Sequence, residues 1–277
     1  MGLRINTNVV SLAAQRALGN TNDSKQSSLE KLSSGTRIVR AADDAAGLAI
    51  SEKMKAQIRG VKQAERNAGD GISMVQTAEG GLTEIGNILV RLRELSMQSA
   101  SDTVNDVERG FTNMEYQNLK QEIERISQVT EFNGNKLLNG TGGNYDFQIG
   151  IHNDAFQDRI TFDTTNLNAG TSSLGVGEID ISTRDGAQTS LAVLDDAIEQ
   201  VSGQRAELGA KQNRLSSTVN NLQLTAENLS AANSRIRDTD YAQETAINTK
   251  LNILTNAGAS VLAQTNAQGS AALKLIG

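Results

Sequence analysis

The chain has 277 residues and a net charge of −6, with 38% apolar and only 3% aromatic side chains. It has no cysteine and no tryptophan, which excludes disulfides, thiolate metal sites and cysteine nucleophiles. Proline is also absent where about 14 would be usual, which suits long uninterrupted helices. Charges of both signs are interspersed, which argues against a nucleic-acid binder. No run approaches the roughly 18 apolar residues of a membrane span, and the first residues lack the pattern of a cleavable signal peptide.

Residues 1–34 read as a helix with a thin apolar stripe: Ile5, Val9, Leu12 and Ala17, then Leu29 and Leu32 after a polar interval. Such a stripe does not hold an isolated helix, because helices lean on tertiary packing. Gly35 is placed to end it as a left-handed C′ residue. Asp43-Asp44 then stands where a new helix starts, and a cap outweighs an acid–base pair there.

Helical spacing continues from Ala45 to about Ser99, through Val61, Ala68, Val75, Leu82, Ile85, Leu89 and Leu92. Gly69, Gly71, Gly80 and Gly81 interrupt the pattern, each at about 1 kcal/mol against alanine, so spacing leaves open a break at Gly69 or Gly80. A second helix is expected over about 106–130, with Val107, Phe111, Met114, Leu119, Ile123 and Ile126 as its apolar set.

The region about 132–190 changes character. Asn133-Gly134 is turn chemistry. Tyr145, Phe147, Ile149 and Ile151 alternate with polar residues, and Ile160 and Phe162 begin a partner strand, which predicts a hairpin. Thr164–Ser190 is rich in Gly, Ser and Thr and reads as an exposed loop with a short strand at Ile179–Ile181.

Leu191 to Ile236 carries the strongest pattern. A 3-4 alternation runs through Leu191, Leu194, Ile198, Val201, Arg205, Leu208, Gln212, Leu215, Val219, Leu222, Ala226, Leu229, Asn233 and Ile236. This is a coiled-coil seam, about 69 Å long if helical. The last segment returns to weak helical spacing, with Ile247, Leu251, Leu254, Val261 and Leu262. The fold expected is mainly α: an elongated antiparallel helical bundle or coiled coil with a small β-hairpin region.

No catalytic constellation is visible. The single histidine, His152, lies in a turn without the partners of a triad or metal site, and no glycine-rich stretch has phosphate-binding spacing. No enzyme activity, cofactor or metal is expected. The weak terminal helices need partners, and their Asn, Ser, Gln and Thr content favours protein over membrane. Ends that order when subunits meet are an assembly device, and heterologous contacts of that kind build open filaments.

Several stretches carry a family resemblance. They are 29-LEKLSSGTRI-38, 41-AADDAAGLAI-50, 66-RNAGDGIS-73, 91-RLREL-95 and 132-FNG-134 in the first half. In the second half they are 208-LGAKQNR-214, 228-NLSAANSRI-236, 238-DTDYA-242 and 259-ASVLAQ-264. They resemble the two halves of bacterial flagellins, in order, over nearly the whole chain. The resemblance implies a structural subunit that self-assembles into the helical flagellar filament used for swimming. It implies an inner-core domain of 1–42 plus 237–277 and a rod-like outer-core domain of 43–236. The outer core would hold helices near 45–99, 106–130 and 191–236, the first running on through its glycines.

Only Phe132–Ser190 stands where long flagellins insert outer domains, so those are expected to be absent. The resemblance also implies unfolded export through the flagellar type III apparatus, extracellular localisation, and partners: an export chaperone, a filament cap and hook-junction proteins. Filament-core contacts fall to Ile5, Val9, Leu12, Leu29, Leu32, Ile247, Leu251, Leu254, Val261 and Leu262. Arg91, Leu95 and Glu115 match a patch that serves subunit stacking or, in free monomer, an innate Toll-like receptor. The alternative function is a hook–filament junction protein, which would not propagate long fibres.

Overall fold

The structure, a computed structural model, describes residues 7–274, with side chains described through residue 267. Five helices and four short strands follow in order: α1 Val9–Ser34, α2 Ala45–Ser99, α3 Asp106–Val129, β1 Glu131–Phe132, β2 Asn135–Lys136, β3 Asn144–Gln148, β4 Arg159–Asp163, α4 Arg184–Arg237 and α5 Tyr241–Lys274. The strands form two antiparallel pairs, β1–β2 and β3–β4. The chain divides into two compact units. One joins the chain up to Ala56 with the chain from Asn228 onward, and the other is Gln57–Glu227.

The second unit holds the apolar core. Val75, Leu82, Ile85, Leu89 and Leu92 of α2 pack with Tyr116 and Ile123 of α3 and Leu194, Val201, Leu208 and Leu215 of α4. The glycines do not break α2. At Gly71 an added Cβ would lie 3.1 Å from the Phe147 ring, and at Gly81 it would lie 2.6 Å from Leu138. Both glycines let the β region sit directly on the helix backbone. β3 and β4 pair Tyr145 with Phe162 and Phe147 with Ile160, and the Phe147 and Phe162 rings stack 6.2 Å apart. Asn133 and Gly134 have φ of 49° and 80°, the signature of a tight hairpin turn. Phe156, by contrast, is 85% exposed and belongs to no core.

Three expectations are corrected. Thr164–Ser190 is not an exposed loop with a strand at 179–181. Leu167, Ala169, Leu174, Val176 and Ile181 are buried, and α4 already begins at Arg184, where the Thr183 hydroxyl accepts the Gly186 N–H at 3.2 Å.

On α3, Val107, Phe111 and Met114 are exposed rather than core-facing. Tyr116, Leu119, Ile123 and Ile126 face the core instead, and a flanking face is polar because it carries that same segment as a strap. Lys120 Nζ donates to the carbonyls of Gly177 at 2.7 Å and Ile179 at 2.9 Å. Gln117 donates to Ile179 O, and the Asn113 side-chain carbonyl accepts the Ile181 N–H. Glu124 accepts the Thr171 N–H at 3.0 Å and its hydroxyl at 2.9 Å, bonds that hold its carboxyl below the usual range. Positions 113, 117, 120 and 124 keep helical spacing, so one polar stripe satisfies the backbone of an irregular segment.

The α4 seam is also shifted on one side. Leu194, Val201, Leu208 and Leu215 are buried, and the most buried members of the alternate row are Ser190, Ala197 and Gln204, while Ile198 packs half-buried against the core. Arg205 is exposed. Gln204 donates to the strap carbonyls of Asn166 and Asn168 at 3.1 and 3.4 Å.

In the first unit, Gly35 ends α1 in the left-handed conformation at φ 68°, its N–H donating to Lys31 O. The connectors then zip together. The Arg37 N–H donates to Arg237 O at 2.6 Å, and the Thr239 N–H donates to Gly35 O at 3.0 Å. Asp44 caps α2 by accepting the Gly47 N–H at 2.8 Å. Asp43 accepts the N–H groups of Val39 and Arg40, which lowers its pKa. Both carboxylates are therefore structural caps.

Candidate assembly surfaces

α1 and α5 lie against each other as an antiparallel pair. Asn8 Nδ2 donates to Thr265 O at 3.1 Å, Ser11 bonds Asn266 at 2.9 Å, and the Tyr241 hydroxyl donates to Leu32 O at 3.0 Å. The residues turned inward on α1 are Ser11, Ala14, Leu18, Thr21, Lys25, Ser28 and Leu32. Those on α5 are Asn248, Leu251, Thr255, Gly258, Leu262 and Thr265. Both sets follow the 3-4 spacing of a coiled-coil seam, yet most members are small or polar. Gly258 admits Leu18, whose Cδ1 lies 3.2 Å from an added Cβ. Ser28 Oγ and Asn248 Nδ2 are buried without a hydrogen-bond partner, and each such group costs stability.

Apart from Leu18, Leu32, Leu251 and Leu262 in the seam, many of the large apolar side chains of this pair face outward. Val9 is 60% exposed, Leu12 49%, Ile253 63% and Val261 54%, and Val10, Leu29, Ile247 and Leu254 are exposed as well. Of the residues expected to make filament contacts, Val9, Leu12, Leu29, Ile247, Leu254 and Val261 therefore lie on the outer surface. Leu32, Leu251 and Leu262 are half-buried in the seam, and Ile5 lies outside the described residues. Sequence reasoning missed Val10 and Ile253, which neighbour the stripe it traced. Covering half-exposed aliphatic side chains of this kind is worth about 1 kcal/mol each, so eight of them offer a substantial interface.

The second patch lies on unit two. Arg91 bridges Glu94 and Glu115, each at 2.9 Å, and these hydrogen bonds raise its pKa. Leu95 does not join them at the surface. It is 2% exposed and belongs to the core. Beside it, Arg93 Nε donates to Asp195 at 2.6 Å.

Little else in the chain offers chemistry. His152 is exposed. Among the described residues no three His, Asp or Glu side chains converge as metal ligands. No helix there is long and apolar enough to cross a membrane.

Residues 5–142 match the family described as the bacterial flagellin N-terminal helical region, and residues 191–276 match the C-terminal helical region. A flagellin of Halalkalibacterium halodurans is 45% identical over 98% of this chain and 99% of its own. A flagellin of Bacillus subtilis is 44% identical over 99% and 100%. The crystal structure of Bacillus cereus flagellin is 36% identical, with a TM-score of 0.50, covering 61% of this chain and 94% of that one. Matches to both helical regions, and near-complete coverage of this chain and of both relatives, place the chain in the bacterial flagellin family, as a structural subunit of the flagellar filament.

Proposed function

We propose that the outer faces of α1 and α5 are the surfaces this subunit buries against its neighbours in the filament. The carrying observation is the inversion of the terminal pair, with a polar seam inside and Val9, Val10, Leu12, Leu29, Ile247, Ile253, Leu254 and Val261 outside. A surface of this kind is costly in water and becomes favourable only when covered. The pair 1–42 and 237–277 then serves as the inner core of the polymer, completing its order on assembly, and 43–236 as the outer core. Propagation through these faces is what separates a filament subunit from a hook–filament junction protein.

Before assembly the same apolar helices suit a chaperone. A flagellin export chaperone holds the carboxy-terminal segment, the chain leaves through the type III apparatus, and subunits add beneath a cap to an extracellular filament. The exposed Arg91–Glu115 pair serves stacking along the polymer and, in free monomer, contact with a Toll-like receptor. No catalytic role falls to any side chain.

Seeded polymerisation of purified monomer, followed by negative-stain electron microscopy and circular dichroism, tests the reading. Long fibres with a gain in helicity are expected from the full chain. Removal of residues 1–34 or 244–277 should abolish them while the core of unit two still melts cooperatively. Normal filaments from either truncation would refute the assignment of these faces.

A further inference from the structure

α2 carries three cations on one face of unit two: Arg59, Lys62 and Arg66, spaced three and four residues apart and all exposed. The rest of the helix circumference there is engaged. Val61, Ala64 and Ala68 are buried. Gly60 meets Ile151 on the hairpin side, where Asn67 also donates to Gln148 O at 2.9 Å. Glu65 accepts from Gln223 of α4 at 2.8 Å.

The cationic face has no such partner. Arg59 and Lys62 make no hydrogen bond or ion pair among the described residues, and Arg66 bonds only the neutral amide of Gln63. Asp70, one turn on, makes no ion pair with it. Arg91, Arg93, Arg125 and Arg184, by contrast, each rest on a carboxylate, while the exposed Arg205 and Arg214 are single unpaired cations among the described residues and not a row of three. Like charges one turn apart on a helix repel, and the exposed Asp70, four residues beyond Arg66, offsets them at that end only.

The same unit carries the complementary face. On α4, Asp196 and Glu199 are exposed and make no ion pair, while the neighbouring Asp195 is taken by Arg93. Glu207 continues that face and meets only Lys211, one turn away at 3.3 Å. The cations span about 10 Å of helix and the carboxylates about 16 Å.

The two faces lie at different levels of unit two. Glu65 is level with Gln223 and Arg93 with Asp195, so α2 and α4 run antiparallel. The faces are then separated along the helices by roughly 36 Å centre to centre and about 22 Å at their nearest, more than two Debye lengths at physiological salt. They do not neutralise each other within one molecule.

We infer that the Arg59–Lys62–Arg66 face docks onto the Asp196–Glu199–Glu207 face of a second copy of this chain. The inference rests on filament assembly and adds a contact that the terminal helices do not supply. Because the two faces are different, the contact is head-to-tail, and in an open filament it repeats from subunit to subunit. Its role is to set register and direction, which charge complementarity does more effectively than it adds affinity. The apolar terminal faces supply the affinity.

A charge swap in the full chain tests this, with critical concentration for seeded growth read by sedimentation. R59E/K62E should raise it about tenfold, the size of one or two close charge pairs, and D196K/E199K should do the same. The four changes together should return it to within about threefold of the parent. Monomer melting should be unchanged in all of them. If reversal itself disturbs melting, R59Q/K62Q replaces it and must still raise the critical concentration.

Normal growth of both reversed variants would overturn the contact. So would broken growth that the combined variant does not rescue, or closed dimers in place of fibres. If the parent chain itself failed to grow, the assembly reading would fall first, which separates the two.

Discussion

The two units solve the same problem in opposite ways. In unit two the inward positions of the helices are aliphatic, and Leu82, Ile85, Leu89, Leu194, Leu208 and Leu215 are buried completely. In the terminal pair the inward positions include Ser11, Thr21, Ser28, Asn248 and Thr265, and many of the aliphatic residues lie outside. The periodicity is equally regular in both. Unit two thus has enough apolar burial to fold alone. The terminal pair has its apolar surface aimed at something else, and its own seam contributes little beyond a geometry. A subunit that must stay soluble before it polymerises needs both kinds of helix. One part must be stable without neighbours, and the other must become stable only with them.

The largest expected effect breaks the stable half of this contrast. Leu215→Ala removes a fully buried side chain from the α4 seam and should cost about 2–5 kcal/mol in thermal unfolding of the monomer. A negligible shift would mean that the seam is not the source of stability.

The next effect concerns the polar stripe of α3. Lys120→Met removes the two hydrogen bonds to Gly177 and Ile179 and should cost about 1–3 kcal/mol. The strap should open first, so limited proteolysis is expected to cut near the exposed Ser172-Ser173 before any global unfolding. Cleavage elsewhere would show that the strap is held by Leu174 and Val176 rather than by the clamp.

A smaller effect per residue distinguishes the outer face. Leu12→Asn with Val261→Asn should leave monomer melting within about 0.5 kcal/mol of the parent, as surface changes do. The critical concentration for growth should rise roughly thirtyfold, from two lost apolar contacts of about 1 kcal/mol each. A large loss of monomer stability instead would place these side chains in the subunit's own fold.

Much of this was legible in the sequence, and the limits have a common cause. Hydrophobic period identifies a helix and the existence of a stripe, so α4 and the Tyr145–Phe162 hairpin follow from it, whereas the continuity of α2 through Gly69 and Gly80 was left open by spacing and implied only by the family resemblance. It does not identify what the stripe faces. Val107, Phe111 and Met114 form a regular apolar set on α3, yet they face outward because the strap occupies the other side. The strap itself was hidden because Gly, Ser and Thr give no periodic signal, while its burial depends on side chains 40 to 60 residues away. Gln204 stands outside the 3-4 row for the same reason, since its partners are strap carbonyls. The terminal residues were found as a set, but Leu95 was assigned to a surface patch from motif position alone. Its burial depends on where α3 lies.

The smallest expected effect sharpens the comparison most. Ser28 is buried in the terminal seam with its hydroxyl unpartnered, in the same layer as Asn248, whose amide nitrogen is also unpartnered. Ser28→Ala removes one of these groups and adds helix propensity of about 0.5 kcal/mol. A buried polar group without a partner gains from apolar replacement, so the change should stabilise the terminal pair by up to about 1 kcal/mol. Circular dichroism of the monomer should show more helix at a given temperature, with melting of unit two unaffected. Assembly should then begin at a lower concentration, because less ordering remains to be done when subunits meet. If Ser28→Ala lowered monomer helicity instead, the hydroxyl would be holding the pair together, and the seam could no longer be regarded as the weak partner of the outer face.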